Sequence, residues 1–362
     1  MSSESRRTIR SWHEPLLGTV IQITTRGVEA GPARDWIANE IDRLQSVFSA
    51  FESTSDLSRW KHGHPPERCA PELHDLLGEA EFWRVASRGA FNPRSGALTD
   101  LWNEAARSGV TPTADRLART CHELAGAAWV MSGQYAHQLP GCEDVTLNAI
   151  AKGRIVDLAV AGAVRAFDVE TVLVNAGGDI LHVGLDSATI GIEDPARPYE
   201  NASPAVRLRV SNRAVATSGA TYRAIDVGAT SVGHVSDPRS GQPAMTVASA
   251  TATALDATTA DVLATILTVL DPDDGIRFAD EVADVGCYIV TRSGDTLMNA
   301  RFSELMSSSE GGGDRDDGGD RTDAGQAEGE ATPLCGEHLN PESRNSNEDE
   351  PEARHIDDPG PS

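Results

Sequence analysis

Asp261 and Thr265 stand four residues apart in Asp256-Ala-Thr-Thr-Ala-Asp-Val-Leu-Ala-Thr265. On a helix that spacing puts a carboxylate and a hydroxyl on one face. With backbone carbonyls and phosphate oxygens, such a pair can hold Mg2+ or Ca2+. The same spacing also describes a polar stripe turned to solvent. In Asn175-Ala-Gly-Gly-Asp-Ile180, Gly177 and Gly178 allow a backbone turn with positive φ and close approach to a ligand. Asp179 can accept hydrogen bonds there or help bind a cation, although a glycine-rich hairpin with a capping Asp reads the same way. Asn148-Ala-Ile-Ala-Lys-Gly153 sets Lys152 beside the free amides of a helix start, a phosphate cradle or a plain helix entry. It is not a P-loop, because the glycine spacing and the Ser/Thr after Lys are missing.

Two further segments carry hydroxyls and an imidazole. Thr217, Ser218 and Gly219 follow a β-branched run and suit close contact with a ligand backbone or phosphate, or a strand-ending turn. His234-Val-Ser-Asp-Pro-Arg-Ser-Gly241 offers an imidazole that titrates near neutrality, hence a general base or a structural His. Asp237-Pro-Arg-Ser-Gly reads as a turn that holds this His in place.

These residues need elements to position them. Residues 19–24 alternate and are β-branched, which predicts a strand. Ile37, Ile41, Leu44, Val47 and Phe48 fall at helical spacing, with Asp35 placed to help start that helix. A second helix is expected over 72–88, with Leu73, Leu76, Leu77, Ala80 and Trp83 on one face. A loop with a short helix fits 89–110. A helix over 112–126 would have Thr111 as N-cap and Pro112 at its first position. Another helix is expected over 151–167. Short apolar runs at 171–175, 180–183, 188–192, 206–210, 214–217 and 247–254 predict strands with hairpin-length connections, so a largely antiparallel sheet. A helix over 256–270 stops before Asp271-Pro-Asp-Asp-Gly275. A hairpin of 287–291 and 296–302 closes the body. The layout is α+β.

Composition narrows the function classes. Residues 307–362 hold 16 Asp and Glu against 4 Arg, half of the chain's net charge of −24. With few large apolar groups, this segment is expected to be a disordered acidic tail. We expect residues 1–13 to be a flexible N-terminus, 14–305 one folded domain, and 306–362 the tail. The negative body argues against nucleic acid as the main partner. Five cysteines with no CxxC pair argue against a zinc site or disulfide framework, and for reduced thiols. The N-terminus lacks the apolar core of a signal peptide, and no apolar run approaches a membrane span. A cytoplasmic protein with no membrane partner is the expectation.

In order along the chain, the blocks resemble the FAD:protein FMN transferase (ApbE) family. They begin with Leu16-Leu-Gly-Thr-Val-Ile-Gln-Ile, Phe48-Ser-Ala-Phe-Glu-Ser-Thr-Ser-Asp-Leu-Ser-Arg59 and Gly89-Ala-Phe-Asn-Pro-Arg-Ser-Gly-Ala-Leu98. Ala149-Ile-Ala-Lys-Gly153 with Asp157, Val174-Asn-Ala-Gly-Gly-Asp-Ile180 and Gly191-Ile-Glu-Asp-Pro195 come next. Ala216-Thr-Ser-Gly219, His234-x-x-Asp-Pro-x-x-Gly241 and Ala260-Asp-Val-Leu-Ala-Thr265 complete the series. Asn148 stands where the family usually has Gly, Asn92 where it has Asp, and Phe51 where it often has Tyr.

The resemblance implies an ApbE-like (T-fold-like) single domain, a mixed, largely antiparallel sheet flanked by helices with FAD in a cleft beside it. It implies Mg2+, or another divalent ion, held by Asp261, Thr265 and a backbone carbonyl near Ala151. Leu17, Phe51, Lys152, Asn175, Gly177, Gly178, Asp179, Thr217, Ser218 and Gly219 would border FAD. His234 would be the base, with Asp237 orienting it. The implied reaction moves FMN from FAD to a Ser or Thr hydroxyl of an acceptor flavoprotein, with release of AMP. The same site would serve an FAD pyrophosphatase giving FMN and AMP, or a non-catalytic FAD-binding protein.

Overall fold

The computed structural model describes residues 6–63, 70–197, 202–219, 224–227, 230–233 and 235–306. His234 and residues 307–362 lie outside the described residues. The frame is an eight-stranded sheet. In spatial order its strands are β1 (Arg7–Leu16), β2 (Thr19–Gly27), β5 (Val169–Ala176), β6 (Asp179–Gly184), β9 (Arg213–Gly219), β12 (Val247–Ala254), β13 (Gly286–Thr291) and β14 (Thr296–Met298). Every ladder in it is antiparallel. Three separate hairpins pair β3 (Trp129–Ser132) with β4 (Tyr135–Gln138), β7 (Ala188–Ile192) with β8 (Val206–Val210), and β10 (Ala224–Val227) with β11 (Thr230–Gly233).

Strand alternation sorts side chains onto two faces. Ile21, Ile23, Val172, Val174, Ala216 and Ala252 are buried in the main core with three helices: α1 (Ala30–Phe48), α6 (Ala151–Ala166) and α7 (Ala257–Val269). On the other face Ile180, Val215 and Tyr288 pack with β7, β8 and Phe302 of α9 (Ala300–Leu305). Helices α2 (Asp56–Lys61) and α3 (Pro71–Ala86) join the main core through Leu57, Trp60, Leu73, Leu76 and Trp83. A satellite core joins α4 (Gly96–Ser108) and α5 (Ala114–Leu124) through Leu98, Trp102, Leu117 and Leu124. Helix α8 (Pro272–Glu281) packs beside α7 and β13.

The helix-spaced apolar sets of α1 and α3 are buried as the periodicity requires. Several boundaries differ. Residues 7–13, expected as a flexible N-terminus, form β1, an edge strand antiparallel to β2. Its polar composition hid it, yet Ile9, Ser11 and His13 alternate half-buried with exposed neighbours, as an edge strand does. Helix α1 starts at Ala30, so Asp35 lies inside it and pairs with Arg34. Pro32 falls in the first turn, where its missing N–H is tolerated. The N-cap of α5 is Thr113, which accepts from the Arg116 N–H, and not Thr111. Asp271-Pro-Asp-Asp-Gly275 opens α8, with Asp271 as N-cap and Pro272 at its first position. The last strand stops at Met298, because Asn299 caps α9. Among the described residues Cys121, Cys142 and Cys287 are free, and no helix is long and apolar enough to cross a membrane.

Candidate functional site

Helix α7 is apolar almost all round, the pattern of a buried helix. Its start is secured twice. Asp256 caps it through the Thr259 N–H at 2.7 Å. Asp157 of α6 accepts from the Ala257 N–H at 2.7 Å, the Thr258 N–H at 2.8 Å and the Thr258 hydroxyl at 2.5 Å. The bond is returned one turn on, where the Gly153 N–H donates to Asp261 Oδ2 at 3.1 Å. Gly153 is required at this crossing: an ideal Cβ there would sit 2.2 Å from the Ala257 carbonyl oxygen.

This clasp buries Asp261 at 5% exposure, which excludes the solvent-facing stripe. Asp179, at the start of β6, is 2% exposed. The Lys152 ammonium, from the first turn of α6, ion-pairs with Asp179 and stands 4.0 Å from Asp261 Oδ1. Burial, then the Asp179 charge, push the Asp261 carboxyl up to about 7, against the opposing pull of Lys152 and the Gly153 N–H. A buried carboxylate pair with one ammonium between them still carries net negative charge.

The glycine turn closes the site. Gly177 and Gly178 have φ of +61° and +100°. A Cβ on Gly177 would meet Thr19 Oγ1 at 2.5 Å, whereas one on Gly178 would meet nothing within 4 Å. Asn175 Oδ1 accepts from the Gly178 N–H at 3.0 Å, so the Asn side chain shapes the turn. Leu17 sits in the adjoining β1–β2 turn with φ of +54°, and its N–H donates to Gln45 Oε1 at 2.7 Å. Gln45 in turn donates to Glu52 at 3.1 Å, which ties the loop bearing Phe51 to that turn. Phe51 is 87% exposed.

Thr265 lies one turn beyond Asp261 on α7 and is half-buried. Ala151 is the first residue of α6, next to Lys152. Thr217 and Ser218 divide between the two faces of β9. Ser218 pairs with Ala250 of the helix-covered core, while the Thr217 hydroxyl meets Thr251 Oγ1 at 2.9 Å on the opposite face. Strand alternation explains why three adjacent candidates do not converge. Asp237 belongs to another anchor. Its carboxylate holds Arg239 at 2.9 and 3.0 Å, and its carbonyl accepts from the Gly241 N–H at 2.7 Å. Trp102 Nε1 donates to the Gly241 carbonyl, pinning this turn to α4. The turn is as expected; the His234 that it was expected to hold lies outside the described residues.

Asp157 and Arg94 stand in blocks already quoted from the sequence, and the structure adds their supporting roles. Asp157 follows Gly153 by four residues, so it shares its helix face, and that spacing was the available signal. Arg94 is 7% exposed and donates to Asp144 at 2.7 Å, the Glu123 carbonyl at 2.6 Å and the Gly141 carbonyl at 3.0 Å. It joins the end of α5 to the loop that leads into α6.

Among the described residues, no three His, Cys, Asp or Glu side chains gather as an all-protein metal cage. The donors present are hard oxygens: the buried carboxylates of Asp179 and Asp261 and, one turn along α7, the half-buried Thr265 hydroxyl. They fit a hard cation that completes its shell from backbone and ligand oxygens, the habit of Mg2+.

The ApbE family model matches residues 17–289. The chain is 30% identical over 305 residues to the FAD:protein FMN transferase of Treponema pallidum, covering 76% of this chain and 83% of that protein. It is 27% identical over 291 residues to the FAD:protein FMN transferase of Haemophilus influenzae, covering 74% and 81%. The flavin transferase ApbE from Vibrio cholerae superposes with a TM-score of 0.68 at 21% identity, over 83% of this chain and 100% of that one. The ApbE protein from Thermotoga maritima does so with a TM-score of 0.70 at 23% identity, over 84% and 100%. The match spans nearly the whole described body, including the α6–α7 clasp and the glycine turn, and the chain belongs to the ApbE family.

Proposed function

We propose that this chain transfers the FMN half of FAD to a Ser or Thr hydroxyl of an acceptor protein and releases AMP. The carrying observation is the meeting of Asp179, Lys152 and Asp261 at the α6–α7 crossing in an ApbE family member. FAD is the substrate. The Gly177–Gly178 turn, where Gly178 presents no Cβ to block close approach, and the first turn of α6 flank its diphosphate, and Lys152 adds a positive charge. Asp261, Thr265 and the Ala151 carbonyl would hold a divalent ion, Mg2+ by donor chemistry, which would supply charge neutralisation on the diphosphate and on departing AMP.

The bonds balance as a single displacement. The acceptor oxygen bonds to the phosphorus on the FMN side. The bond from that phosphorus to the bridging oxygen breaks, and its electron pair leaves with AMP. A hydroxyl is a weak nucleophile at neutral pH, so its proton passes to a base, for which His234 is the candidate. Asp237 is the candidate for orienting that base. The Leu17 turn and the exposed Phe51 ring border the flavin side.

The test is incubation with FAD, Mg2+ and a candidate acceptor, followed by in-gel flavin fluorescence and AMP release. Covalent flavin on the acceptor, lost in Asp261→Ala and His234→Ala, is the expected result. Free FMN with no labelled acceptor would mark an FAD pyrophosphatase. Equal, negligible AMP release from parent and variants would mark a binding protein without turnover.

A further inference from the structure

We infer that Lys152, paired to Asp179, is a displaceable internal cation that competes with the divalent ion for Asp261, and so couples metal binding to diphosphate binding. The inference rests on the metal site proposed above. Asp179 and Asp261 are 2% and 5% exposed, so bulk water solvates neither carboxylate. They come from different elements, the start of β6 and the second turn of α7. The Lys152 ammonium bridges them, paired to Asp179 and 4.0 Å from Asp261 Oδ1. The other Asp261 oxygen is taken by the Gly153 N–H at 3.1 Å. The oxygen that faces Lys152 accepts no backbone N–H and is the one more open to a metal.

Two cations cannot share that oxygen cheaply. Coulomb repulsion in a buried site is far stronger than in water. A divalent ion arriving alone must move the ammonium away from carboxylates that it already satisfies. When the ion arrives with a diphosphate, the ammonium gains a new anionic partner, and the Lys side chain has the length and freedom to turn to it. Metal alone should thus bind weakly, and metal with diphosphate cooperatively, each tightening the other by the same factor. Lys152 then serves two purposes. It keeps the metal-free clasp neutral enough to stay closed, and it opposes loading of the ion without the nucleotide.

The test measures binding and needs no turnover. Mn2+ is titrated into the full chain, with free ion read by electron paramagnetic resonance, with and without ADP as diphosphate probe. In the parent, ADP should tighten Mn2+ by about tenfold or more, within the usual range of coupling between sites. Lys152→Met should bind Mn2+ alone about tenfold more tightly than the parent, and the gain from ADP should shrink. Lys152→Arg keeps the charge and should keep the weak metal-alone binding. Circular dichroism and thermal melts establish that each variant is folded. A folded Lys152→Met that binds Mn2+ alone no better than the parent overturns the inference. So does an unchanged ADP effect. Should Lys152→Met not fold, Lys152→Gln is read by the same two criteria. Failure of the metal site itself looks different: Asp261→Asn would bind Mn2+ as well as the parent, with or without ADP.

Discussion

Asp261 joins two properties that seldom coexist, a carboxylate and near-complete burial. Such a group persists only where something compensates its charge. Here the Gly153 N–H and Lys152 do so, one at each carboxylate oxygen. Asp261→Asn keeps the shape and the bond from Gly153 but removes the anion. Its loss of metal affinity should exceed the roughly 10–100-fold typical of losing an outer-shell partner, checked by Mn2+ titration. Asn92 shows a departure from the family pattern that has a local reason. Its Nδ2 donates to the Leu124 carbonyl at 2.8 Å, and its Oδ1 accepts from the Arg94 N–H at 2.9 Å. An ionised Asp could not donate the first bond. Asn92→Asp should therefore destabilise by about 1–3 kcal/mol, read as a shift in denaturation midpoint. Cys287 is fully buried, and burial pushes its thiol up to about 12 from an ordinary value of 9.0. The folded thiol stays protonated at pH 8 and should resist thiol reagents until the chain unfolds. The stability tied to this shift is complete below pH 9 and is lost as pH rises toward 12, because the unfolded thiol ionises first. Cys287→Ala should flatten that alkaline loss in melts taken across the range.

Elements place these residues more than propensity does. The α6–α7 crossing is built from reciprocal bonds, Asp157 to the start of α7 and Asp261 to the start of α6. Its closeness depends on Gly153. Gly153→Ala would drive a methyl into the Ala257 carbonyl and push the helices apart, at a cost of about 1–3 kcal/mol or more by the standards of overpacked cores. Its metal affinity should fall along with its melting temperature. Asp157→Ala leaves two N–H groups at the buried start of α7 without their acceptor. A loss of about 1–3 kcal/mol is expected, with Asp157→Asn intermediate because one oxygen acceptor remains.

On the scale of the whole molecule, one antiparallel sheet carries the site at a single end. The β1–β2 turn with Leu17, the β5–β6 turn with Gly177 and Gly178, and the starts of α6 and α7 meet there. The family match spans 17–289, and the described body ends with α9 and Met306, which bridges back to Leu208 of β8. Residues 307–362 contribute half the net charge and none of the proposed site. Their removal should leave flavin transfer and melting temperature unchanged while shifting the net charge from −24 to about −12, visible in ion-exchange elution. A large drop in transfer rate would instead make this segment part of acceptor recognition.

The sequence by itself determined the class of the fold, the buried faces of α1 and α3, the strands 188–192, 206–210 and 247–254, and the identity of the chemically able residues. Periodicity and composition are local properties, and these features depend on nothing else. It left β1 hidden, because an edge strand needs only half an apolar face, and it ran the last strand on through residues that form α9, because a cap such as Asn299 acts only once its helix has formed. What the tertiary structure alone decided is which candidates meet. Thr217 and Ser218 are neighbours in the chain yet face opposite ways, and Asp237 is bound into the α4 anchor. Lys152, Asp179 and Asp261 are separated by up to 109 positions and share one ion-pair cluster. Convergence of that kind follows from two helices crossing at a glycine over a sheet end, and no spacing along the chain encodes it.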